Sequence, residues 1–374
     1  MTPIRLLFTI PNFETAGSGR ALLHVARRLD RRRFAPSICV RYRAHNAIEE
    51  EIESLGIPLV EAPTTVDPRP LRSLLGRCRR AAAPLRGFDL WHSFHYLDDY
   101  TEALVARFAG ARWIYTKKNM SWNHRSWWLR SWLARRIAVQ NTDMMASFFG
   151  PRWLRDRAEL VPRGVDLERF RPEGPGRPDL REGLGEDVLL VACVAHLVPV
   201  KGHPTLLRAV AQVPGLHLLI AGRPLDADYA ESLGQLSEEL GIADRVRFLG
   251  GVAEVDRLLR GVDIFALPTL GRGRMEGCPV ALLEAMAAGR AAVVTDIPGS
   301  RDLVVDGESG LRVPPEDPEA LVRALRRLAD PGLRRRLGAG ARRRVEEHYG
   351  IDLEVARHEA LYLRALGRDP GVAS

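Results

Sequence analysis

The sequence predicts an α/β protein with two domains, each built around a doubly wound parallel sheet. Apolar runs of strand length alternate with helical patterns in both halves of the chain. A segment dense in proline, glycine and charge, residues 162–179, separates the two alternating sets and is typical of an interdomain linker. The length of 374 residues also exceeds what one ordinary hydrophobic core supports.

The strand candidates are short apolar runs, as expected for strands that are buried on both faces of a parallel sheet. After the first of them, the loop "NFETAGSGR" leads into a helical pattern over Ala21–Leu29. The candidates in the first half are Ile4–Ile10, Ser37–Arg41, Leu90–His92, Trp113–Thr116, Ile137–Gln140 and Glu159–Val161. Those in the second half are Val188–Val194, Leu216–Ala221, Arg245–Leu249, Asp263–Leu267, Ala291–Thr295 and Gly310–Val313.

The end of the chain has a different pattern. From about Pro318 it becomes helical and rich in arginine, and it closes with an amphipathic stretch over about residues 350–370. We therefore place the first domain at residues 1–168 and the second at residues 169–349.

The chain carries a formal net charge of +8, which indicates an anionic partner such as a diphosphate, a membrane surface or a nucleic acid. Three of its 55 basic residues are lysines, so the charge is almost entirely arginine. The sequence contains no helix-turn-helix, zinc-finger or aromatic RNP motif, and we expect no nucleic-acid binding.

Cysteine usage and the N-terminus indicate a cytoplasmic protein. The four cysteines are widely spaced and form no C-x-x-C pair, so the sequence predicts neither a metal site nor a disulfide framework. The first residues, "MTPIRLLFTIPNF", fit a first strand better than a signal peptide. No apolar stretch approaches the roughly 20 residues that span a bilayer.

The stretch from Glu276 to Glu284 carries the clearest chemical signal. Pro279 suits a helix start, and the run from Val280 to Ala288 is rich in helix-forming residues. Glu276 should then lie on a loop and Glu284 about one turn inside the helix. The residues Gly277, Cys278, Pro279 and Val280 surround the predicted N-terminus, where the backbone N–H groups of the residues other than proline can bind an anion. The pattern predicts a phosphate site flanked by two carboxylates.

This stretch resembles the E-x7-E motif of family 4 retaining glycosyltransferases, and the run "EGCPVALLEAMAAGRAAVVTDIPGSRDLV" is similar to that family beyond the two acids. The resemblance implies the GT-B architecture, in which two Rossmann-like domains face each other across a cleft and the C-terminal helix packs back on the first domain. It also implies transfer of a sugar from a UDP- or GDP-linked donor to a hydroxyl acceptor, with retention and without a metal or another cofactor.

The resemblance assigns roles to three residues of the second half. Glu276 would lie by the donor sugar, Glu284 would bind the ribose hydroxyls, and Lys201 would stabilise the leaving diphosphate. His196 stands where the family has an arginine. An arginine is always charged and binds phosphate through two N–H groups, whereas an imidazole does neither. Three explanations stay open: a bound diphosphate protonates His196; a neighbouring arginine supplies the charge; or the site is weak. The candidate arginines are Arg223, Arg272 and Arg274.

Further donor contacts follow from the same resemblance. Gly222 would let the backbone approach the diphosphate or ribose, with Arg223 beside it. Phe248 and Leu249 fall where family members hold the base, and this pattern does not distinguish uridine from guanosine. In the first half, Gly17 precedes a predicted helix and could present its amide to the donor phosphate.

The motif "LWHSFHY" resembles the strand end at which family members carry a histidine near the acceptor. We choose His95 over His92 because it lies farther from the strand. The predicted catalytic residues are therefore Lys201, Glu276 and His95. A leaving-group oxygen would take the acceptor proton, so these residues act mainly by electrostatic stabilisation.

The stretch "SWNHRSWWLRSWLARR" places Trp128 and Trp132 four residues apart, with Arg130 between them. Tryptophan and arginine together suit an anionic membrane interface, which would make the protein peripheral on the inner membrane face. The same pattern suits a helix that packs on the core or binds the acceptor and has solvated arginines. Both interpretations stay open.

Two other functions are compatible with these residues. One is a sugar-nucleotide epimerase of the same fold; the related phosphorylase idea needs a dedicated cofactor lysine that the second domain does not offer. The other is a nucleotide-sugar-binding subunit with weakened catalysis, which the histidine at position 196 permits.

Overall fold

The computed structural model describes residues 2–14, 16–95, 99–121, 126–185, 187–273 and 276–369. The chain divides into two compact units. The first contains the described residues of 1–118, 122–163 and 351–374, and the second those of 119–121 and 164–350.

Each unit is built on a parallel sheet of buried strands. The first sheet has the order β3-β2-β1-β4-β5-β6-β7 and the second the order β10-β9-β8-β11-β12-β13. The strands of the first sheet are β1 (Ile4–Thr9), β2 (Phe34–Val40), β3 (Leu59–Glu61), β4 (Leu90–Ser93), β5 (Arg112–Lys117), β6 (Arg136–Val139) and β7 (Ala158–Leu160). Those of the second are β8 (Leu189–Val194), β9 (Leu216–Ala221), β10 (Val246–Gly250), β11 (Ile264–Leu267), β12 (Ala291–Thr295) and β13 (Leu311–Val313).

Helices connect the strands. Those that precede β8 are α1 (Ala16–Arg28), α2 (Ala47–Ser54), α3 (Leu74–Ala82), α4 (Thr101–Ala109), α5 (Trp127–Leu133), α6 (Thr142–Phe148) and α7 (Arg152–Arg155). The later ones are α8 (His203–Ala211), α9 (Ala227–Glu239), α10 (Val255–Arg260), α11 (Val280–Ala287), α12 (Ser300–Leu303), α13 (Pro318–Arg327), α14 (Pro331–His348) and α15 (Ile351–Leu366). A short 3₁₀ turn, Pro199–Lys201, precedes α8.

Both sheets are doubly wound. Along each one the strand order runs outward in two directions from a central pair, β1 and β4 in the first sheet and β8 and β11 in the second. The connections that leave such a pair go to opposite faces, which opens a crevice at the carboxyl ends of the strands. Each unit therefore has a crevice in which loops can surround a ligand.

Three local features differ from the sequence-based expectations. Helix α1 begins at Ala16 rather than near Ala21, so Gly17 lies in its first turn and not in a preceding loop. The short strand β3 was not predicted, because three residues show no recognisable alternation. The predicted linker is also wrong in part, since Val165 and Phe170 are buried in the core of the second unit.

The last helix belongs to the first unit, where α15 packs against α1 and the sheet. Buried polar contacts hold it there. His92 is completely buried, with Nδ1 2.9 Å from the Tyr362 hydroxyl and Nε2 2.8 Å from Thr116 Oγ1. Arg163 donates to Glu354 across 3.1 Å, in an ion pair that is almost fully buried.

Cys39, Cys78, Cys193 and Cys278 are all buried, and none of the four is in a disulfide. Within the described ranges, no helix combines the length and apolar character that a membrane span requires. No group of three or more histidine, cysteine, aspartate or glutamate side chains there is arranged to hold a metal ion.

Substituting one glycine by alanine should have opposite effects in two helices. In α14, a Cβ at Gly338 would overlap the backbone carbonyl of Gly289, so Gly338→Ala should lower the free energy of unfolding by about 1–3 kcal/mol. In α9, a Cβ at Gly234 would meet nothing within 4 Å, so Gly234→Ala should raise it by about 0.5–1 kcal/mol. Guanidinium denaturation followed by circular dichroism measures both. Equal effects would contradict the tight packing of α14.

Candidate functional site

The crevice of the second sheet gathers most of the residues that the sequence singled out. The loop after β8 carries His196 and leads through the 3₁₀ turn to Lys201, while the loop after β11 carries Glu276 and leads into α11. Because β8 and β11 are neighbours in the sheet, these two loops leave adjacent strand ends. Side chains far apart in sequence therefore meet.

Lys201 and Glu276 are in direct contact. The Nζ atom of Lys201 lies 2.9 Å from Oε2 of Glu276. The lysine side chain is 11% exposed, whereas that of Glu276 is 52% exposed. Among the residues described, Glu276 is the one polar partner recorded for this ammonium group, and an ammonium has three N–H donors. The pair is therefore an inner cation covered on one side by an outer, solvated carboxylate.

Backbone packing fixes the loops that hold this pair. Gly202 ends the 3₁₀ turn with φ of +70°, and a Cβ there would overlap the carbonyl of Pro268. Gly299 has φ of +89°, and its Cβ would approach the carbonyl oxygens of Glu276 and Gly277 to 2.9 Å. Only glycine adopts these positions without strain. The loop of Glu276 is thus held in place by a glycine twenty-three positions downstream.

Gly222 has a structural role in this arrangement. A Cβ at Gly222 would overlap the carbonyl of Ala195 and approach the amide nitrogen of His196 to 2.9 Å. The lack of a side chain at Gly222 therefore allows the loops after β8 and β9 to approach each other closely. Gly222 keeps His196 and Arg223 close together.

His196 is half-buried and surrounded by charge. Burial lowers the pKa of its imidazole, and the cations of Arg223 and Lys201 lower it further, while Glu276 and the backbone of Arg223 act in the opposite direction. The ring is therefore neutral near pH 7 in this state. Its Nδ1 atom has no hydrogen-bond partner within the described ranges. Arg223 itself is exposed.

Helix α11 begins at Val280, with Pro279 as its N-cap rather than its first helical residue. Cys278 is buried under this helix end, and Gly277 is in contact with Gly299. Glu284 lies one turn inside the helix, as predicted, and is half-buried. Burial raises the pKa of its carboxyl group to about 7; the charge of Arg169 opposes this rise and that of Asp256 adds to it.

The edge strand β10 presents the predicted base-binding residues. Phe248 is 40% exposed, although most aromatic side chains of this unit are buried, and Leu249 is half-buried. The pairing of β10 with β9 shifts register between Phe248 and Gly250. The strand thus bends where an apolar ring projects into solvent.

Of the other arginines considered for the missing charge, Arg272 pairs with Glu316 across 2.8 Å and is exposed. Arg274 lies outside the described residues. Of the three candidates, Arg223 is therefore the one whose charge is recorded as acting on the imidazole of His196.

In the first unit, the crevice holds a buried carboxylate that the sequence did not single out. Glu102 of α4 has no exposed surface and accepts hydrogen bonds from the hydroxyls of Thr9 and Ser93, at the ends of β1 and β4. The indole of Trp91 also donates to it, across 3.2 Å. Arg130 lies 3.8 Å from its second oxygen. Only the fold could reveal this cluster, since its members are spread over more than a hundred positions.

His95 belongs to this cluster. Its Nε2 atom lies 3.1 Å from the hydroxyl of Thr64 and 3.8 Å from Glu102, and its Nδ1 atom has no partner in the described part of the chain. Burial lowers the pKa of His95, while Glu102 raises it. His92, in contrast, uses both ring nitrogens within the core. Of the two histidines, His95 is the one with a nitrogen to spare.

Two helices of the first unit, α1 and α5, carry further residues that the sequence singled out. Gly17 is exposed in the first turn of α1, and the neighbouring Ser18 accepts a hydrogen bond from Lys118 across 3.1 Å. In α5, Trp128 and Trp132 are 53% and 54% exposed, but Arg130 is 2% exposed and donates to the carbonyl of Asp99. The expectation that Arg130 is solvated is therefore wrong.

Two family models match most of the chain. The model of glycosyltransferase family 4 matches residues 15–169, and that of the glycosyl transferases group 1 matches residues 179–344. The chain belongs to this glycosyltransferase family.

Curated glycosyltransferases show similar sequences. A GDP-mannose-dependent alpha-(1-6)-phosphatidylinositol monomannoside mannosyltransferase of Mycolicibacterium smegmatis is 35% identical over 58% of this chain and 56% of its own length. A D-inositol 3-phosphate glycosyltransferase of Mycobacterium ulcerans is 36% identical over 43% of this chain and 35% of its own length. The chain thus spans about half the length of the first curated relatives it matches.

Solved glycosyltransferases share the whole fold. A glycosyltransferase from Rickettsia africae superposes with a TM-score of 0.84, at 16% identity, over 98% of this chain and 99% of its own. The Anabaena protein HepE, solved with UDP and glucose, gives a TM-score of 0.80 at 19% identity, over 96% and 99% of the two chains. These likenesses confirm the predicted GT-B class, with two Rossmann-like domains.

The carboxyl group of Glu284 should make the stability of this protein depend on pH. Its pKa in the folded state, about 7, is above its ordinary value. The folded chain therefore binds this proton more tightly than the unfolded chain, and stability falls as the pH rises through that window. Glu284→Gln removes this pH dependence. The unfolding free energy of the variant, relative to that of the wild type, should therefore increase by on the order of 2 kcal/mol from about pH 5 to about pH 8.

Urea denaturation at the two pH values measures the difference in unfolding free energy. Glu239→Gln, an exposed glutamate of α9, is the matched control. A gain of equal size in that control, or a gain at the acidic end, would contradict the assignment to Glu284.

Proposed function

We propose that this chain transfers a sugar from a nucleoside diphosphate sugar to a hydroxyl acceptor, with retention of the anomeric configuration. One observation carries the proposal: the contact between Lys201 and Glu276 at the crevice of the second sheet. It pairs a buried cation with a solvated acid where a doubly wound fold binds its ligand. A leaving diphosphate needs the cation, and a sugar with several hydroxyls suits the acid.

The positive groups of this crevice suit a diphosphate. Lys201 contributes a nearly buried ammonium, and Arg223 contributes an exposed guanidinium nearby. The eight-residue helix α11 begins directly after the loop of Glu276, and the first backbone N–H groups of a helix have no partner within it. Donors that are fixed in advance stabilise a developing negative charge without reorganisation during the reaction. In this proposal Lys201 and Val280 contact the β-phosphate.

Glu284 suits a pair of ribose hydroxyls. Its half-buried carboxylate has no recorded hydrogen-bond partner in the described part of the chain, although it faces the charges of Arg169 and Asp256. Two hydroxyl donors would satisfy a carboxylate that burial has partly stripped of water. Phe248 and Leu249, on the edge strand, would then provide the apolar contact for the base.

Arg223 compensates for the histidine at position 196 in our proposal. The imidazole is neutral without a ligand, because burial and two cations lower its pKa. A neutral imidazole offers one donor, which can still bind a phosphate oxygen. The exposed guanidinium of Arg223 supplies the charge that the imidazole lacks. His196 would then position a phosphate oxygen, and Arg223 would neutralise part of the negative charge of the diphosphate.

No strong protein base is required in this reaction. As the bond between the sugar and the diphosphate breaks, a phosphate oxygen takes the proton of the acceptor hydroxyl, which enters on the same face. His95 would orient the acceptor through Nδ1, for which the described residues offer no hydrogen-bond partner. Glu276 would hold the sugar hydroxyls once the donor phosphate takes over its contact with Lys201.

The names of the relatives suggest which donor and acceptor to test first. The mycobacterial mannosyltransferases are described as GDP-mannose-dependent, whereas HepE was solved with UDP-glucose. The named acceptors of the curated relatives include a phosphatidylinositol monomannoside and D-inositol 3-phosphate. We therefore propose GDP-mannose as donor and an inositol-containing acceptor.

An anionic membrane surface is a further partner in this proposal. The exposed rings of Trp128 and Trp132 support it, since indole side chains favour the interface between water and lipid. Co-sedimentation with vesicles, with and without anionic lipid, tests it. Binding that is absent, or unchanged in a Trp128→Ser, Trp132→Ser double variant, would remove this partner.

Replacing Lys201 should nearly abolish turnover. Loss of one preorganised donor costs roughly 2.7–4 kcal/mol in comparable sites, so Lys201→Ala should lower kcat by at least ~100-fold. The variant should still fold, because the Glu276 side chain that loses its partner is half exposed. Arg208→Ala, on the exposed face of α8, is the matched control and should leave kcat unchanged. Near-normal transfer by Lys201→Ala would exclude Lys201 from the site.

A panel of GDP- and UDP-sugars should identify the donor by thermal shift, because a ligand that binds the folded state raises the melting temperature. We expect GDP-mannose to give the largest rise, and Glu284→Gln to reduce it. A rise without transfer to any hydroxyl acceptor would instead support a binding subunit with weakened catalysis. No rise with any nucleotide sugar would overturn the proposed function.

A further inference from the structure

A basic cavity lies at the amino-terminal edge of the first sheet, opposite the edge that carries the crevice of that sheet. Its volume is about 540 Å³, within the range of small-molecule sites. It is lined by the starts of β5 and β6, the last turn of α4 and the segment before β7. Five arginines line it: Arg107, Arg112, Arg135, Arg136 and Arg157.

These arginines are held mostly by carbonyl groups and keep their charge. Arg112 donates to the carbonyl of Ala365 across 2.8 Å, and Arg135 donates to the same oxygen across 3.4 Å. Arg157 donates to the carbonyls of Trp132 and Ala134. A carbonyl orients a guanidinium without cancelling its charge, and each guanidinium has five N–H donors. Most of the donors therefore remain available to a ligand.

Acidic groups only partly offset this charge. Arg136 lies 3.4 Å from Glu159, and Glu159 is shared with Arg364. Asp156 is the one acidic residue among those that line the cavity. Arg107, in the last turn of α4, is exposed, and its side chain makes no recorded hydrogen bond or ion pair with any described residue. The lining therefore has a large excess of positive charge.

Trp113 gives the cavity a local reporter. This residue lines the cavity and is 3% exposed, and its indole N–H is buried without a hydrogen-bond partner in the described ranges. The five arginines offer donors alone, so a ligand that binds among them must carry acceptors and negative charge.

We propose that this cavity is a second anion site, which binds a phosphate-bearing group at the amino-terminal edge of the first sheet. Phosphate offers several acceptor oxygens, and its geometry matches the paired N–H groups of arginine. The carboxyl end of β5 lies roughly 16 Å away along the strand, so a ligand here does not occupy the crevice at that end of the sheet. The phosphate belongs either to a soluble phosphoester or to a lipid headgroup.

The test uses the indole N–H of Trp113 as a local reporter. In ¹⁵N-indole spectra of the full chain, inorganic phosphate should shift the signal that disappears in Trp113→Phe. Chloride at the same ionic strength should not shift it. Arg107→Gln should raise the Kd for phosphate by about ten-fold, since a charge-assisted hydrogen bond is lost. Arg323→Gln, an exposed arginine of α13, is the matched control.

Phosphate could also bind in the proposed donor site, and one variant separates the two. Lys201→Ala should leave the shift of Trp113 unchanged. If Trp113→Phe does not fold, calorimetry of phosphate binding by Arg107→Gln in the Lys201→Ala background gives the same information. The fold does not depend on Arg107, because that side chain has no recorded hydrogen bond or ion pair with the described residues.

A vesicle assay distinguishes the two sources of phosphate. Co-sedimentation with phosphatidylcholine vesicles that contain phosphatidic acid, reduced in Arg107→Gln, would assign the site to a lipid headgroup. Phosphate binding without such co-sedimentation would assign it to a soluble phosphoester. Either result supports the site. It is overturned if phosphate moves the Trp113 signal no more than chloride does, or if Arg107→Gln binds phosphate as well as the wild type.

Discussion

The crevice between two diverging connections is the constraint on which the rest of this structure depends. In a doubly wound parallel sheet, the central pair of strands sends its chain to opposite faces, and the strand ends between them are left uncovered. The second unit places Lys201 and Glu276 there, and the first places Thr9, Ser93 and His95 there. The topology of each sheet thus determines where polar residues can gather into a site.

Both crevices contain a buried charged group, and the two groups are stabilised in different ways. Glu102 is completely enclosed and is satisfied by two hydroxyls and an indole, in addition to a nearby guanidinium. Within the part of the chain that the structure describes, Lys201 pairs with one acid, at the outer side of the site. A fully satisfied network rigidifies its surroundings, whereas a cation with donors to spare can exchange partners. The first arrangement suits orientation of a substrate, and the second suits binding of a charged group.

Much of this could be predicted from the sequence, because the relevant signals are local. The alternation of apolar runs predicted the sheets of both units, and Pro279 with the following helix formers predicted the start of α11 within one residue. The E-x7-E motif pointed to Glu276 and, through the family, to Lys201. Their contact was not predictable, since it depends on β8 and β11 being neighbours.

What could not be predicted depends on contacts between distant segments. Nothing near Glu102 in the sequence indicates that it is buried, because its partners come from β1, β4 and α5. Arg130 has the pattern of a solvated arginine, yet the fold buries it against the rings of Trp113 and Tyr115. The segment 162–179 has the composition of a linker, but Val165 and Phe170 supply core side chains.

Helix α15 completes the first unit with residues that are made after residues 164–350 of the second unit. During synthesis the ribosome releases residues 1–163 early, while His92 and Arg163 still lack Tyr362 and Glu354. The second unit, whose residues 164–350 are contiguous, is complete before α15 leaves the exit tunnel. The order of assembly is therefore the reverse of the order of translation: the unit that is begun first is completed after the other, and until then it lacks the buried contacts that α15 supplies.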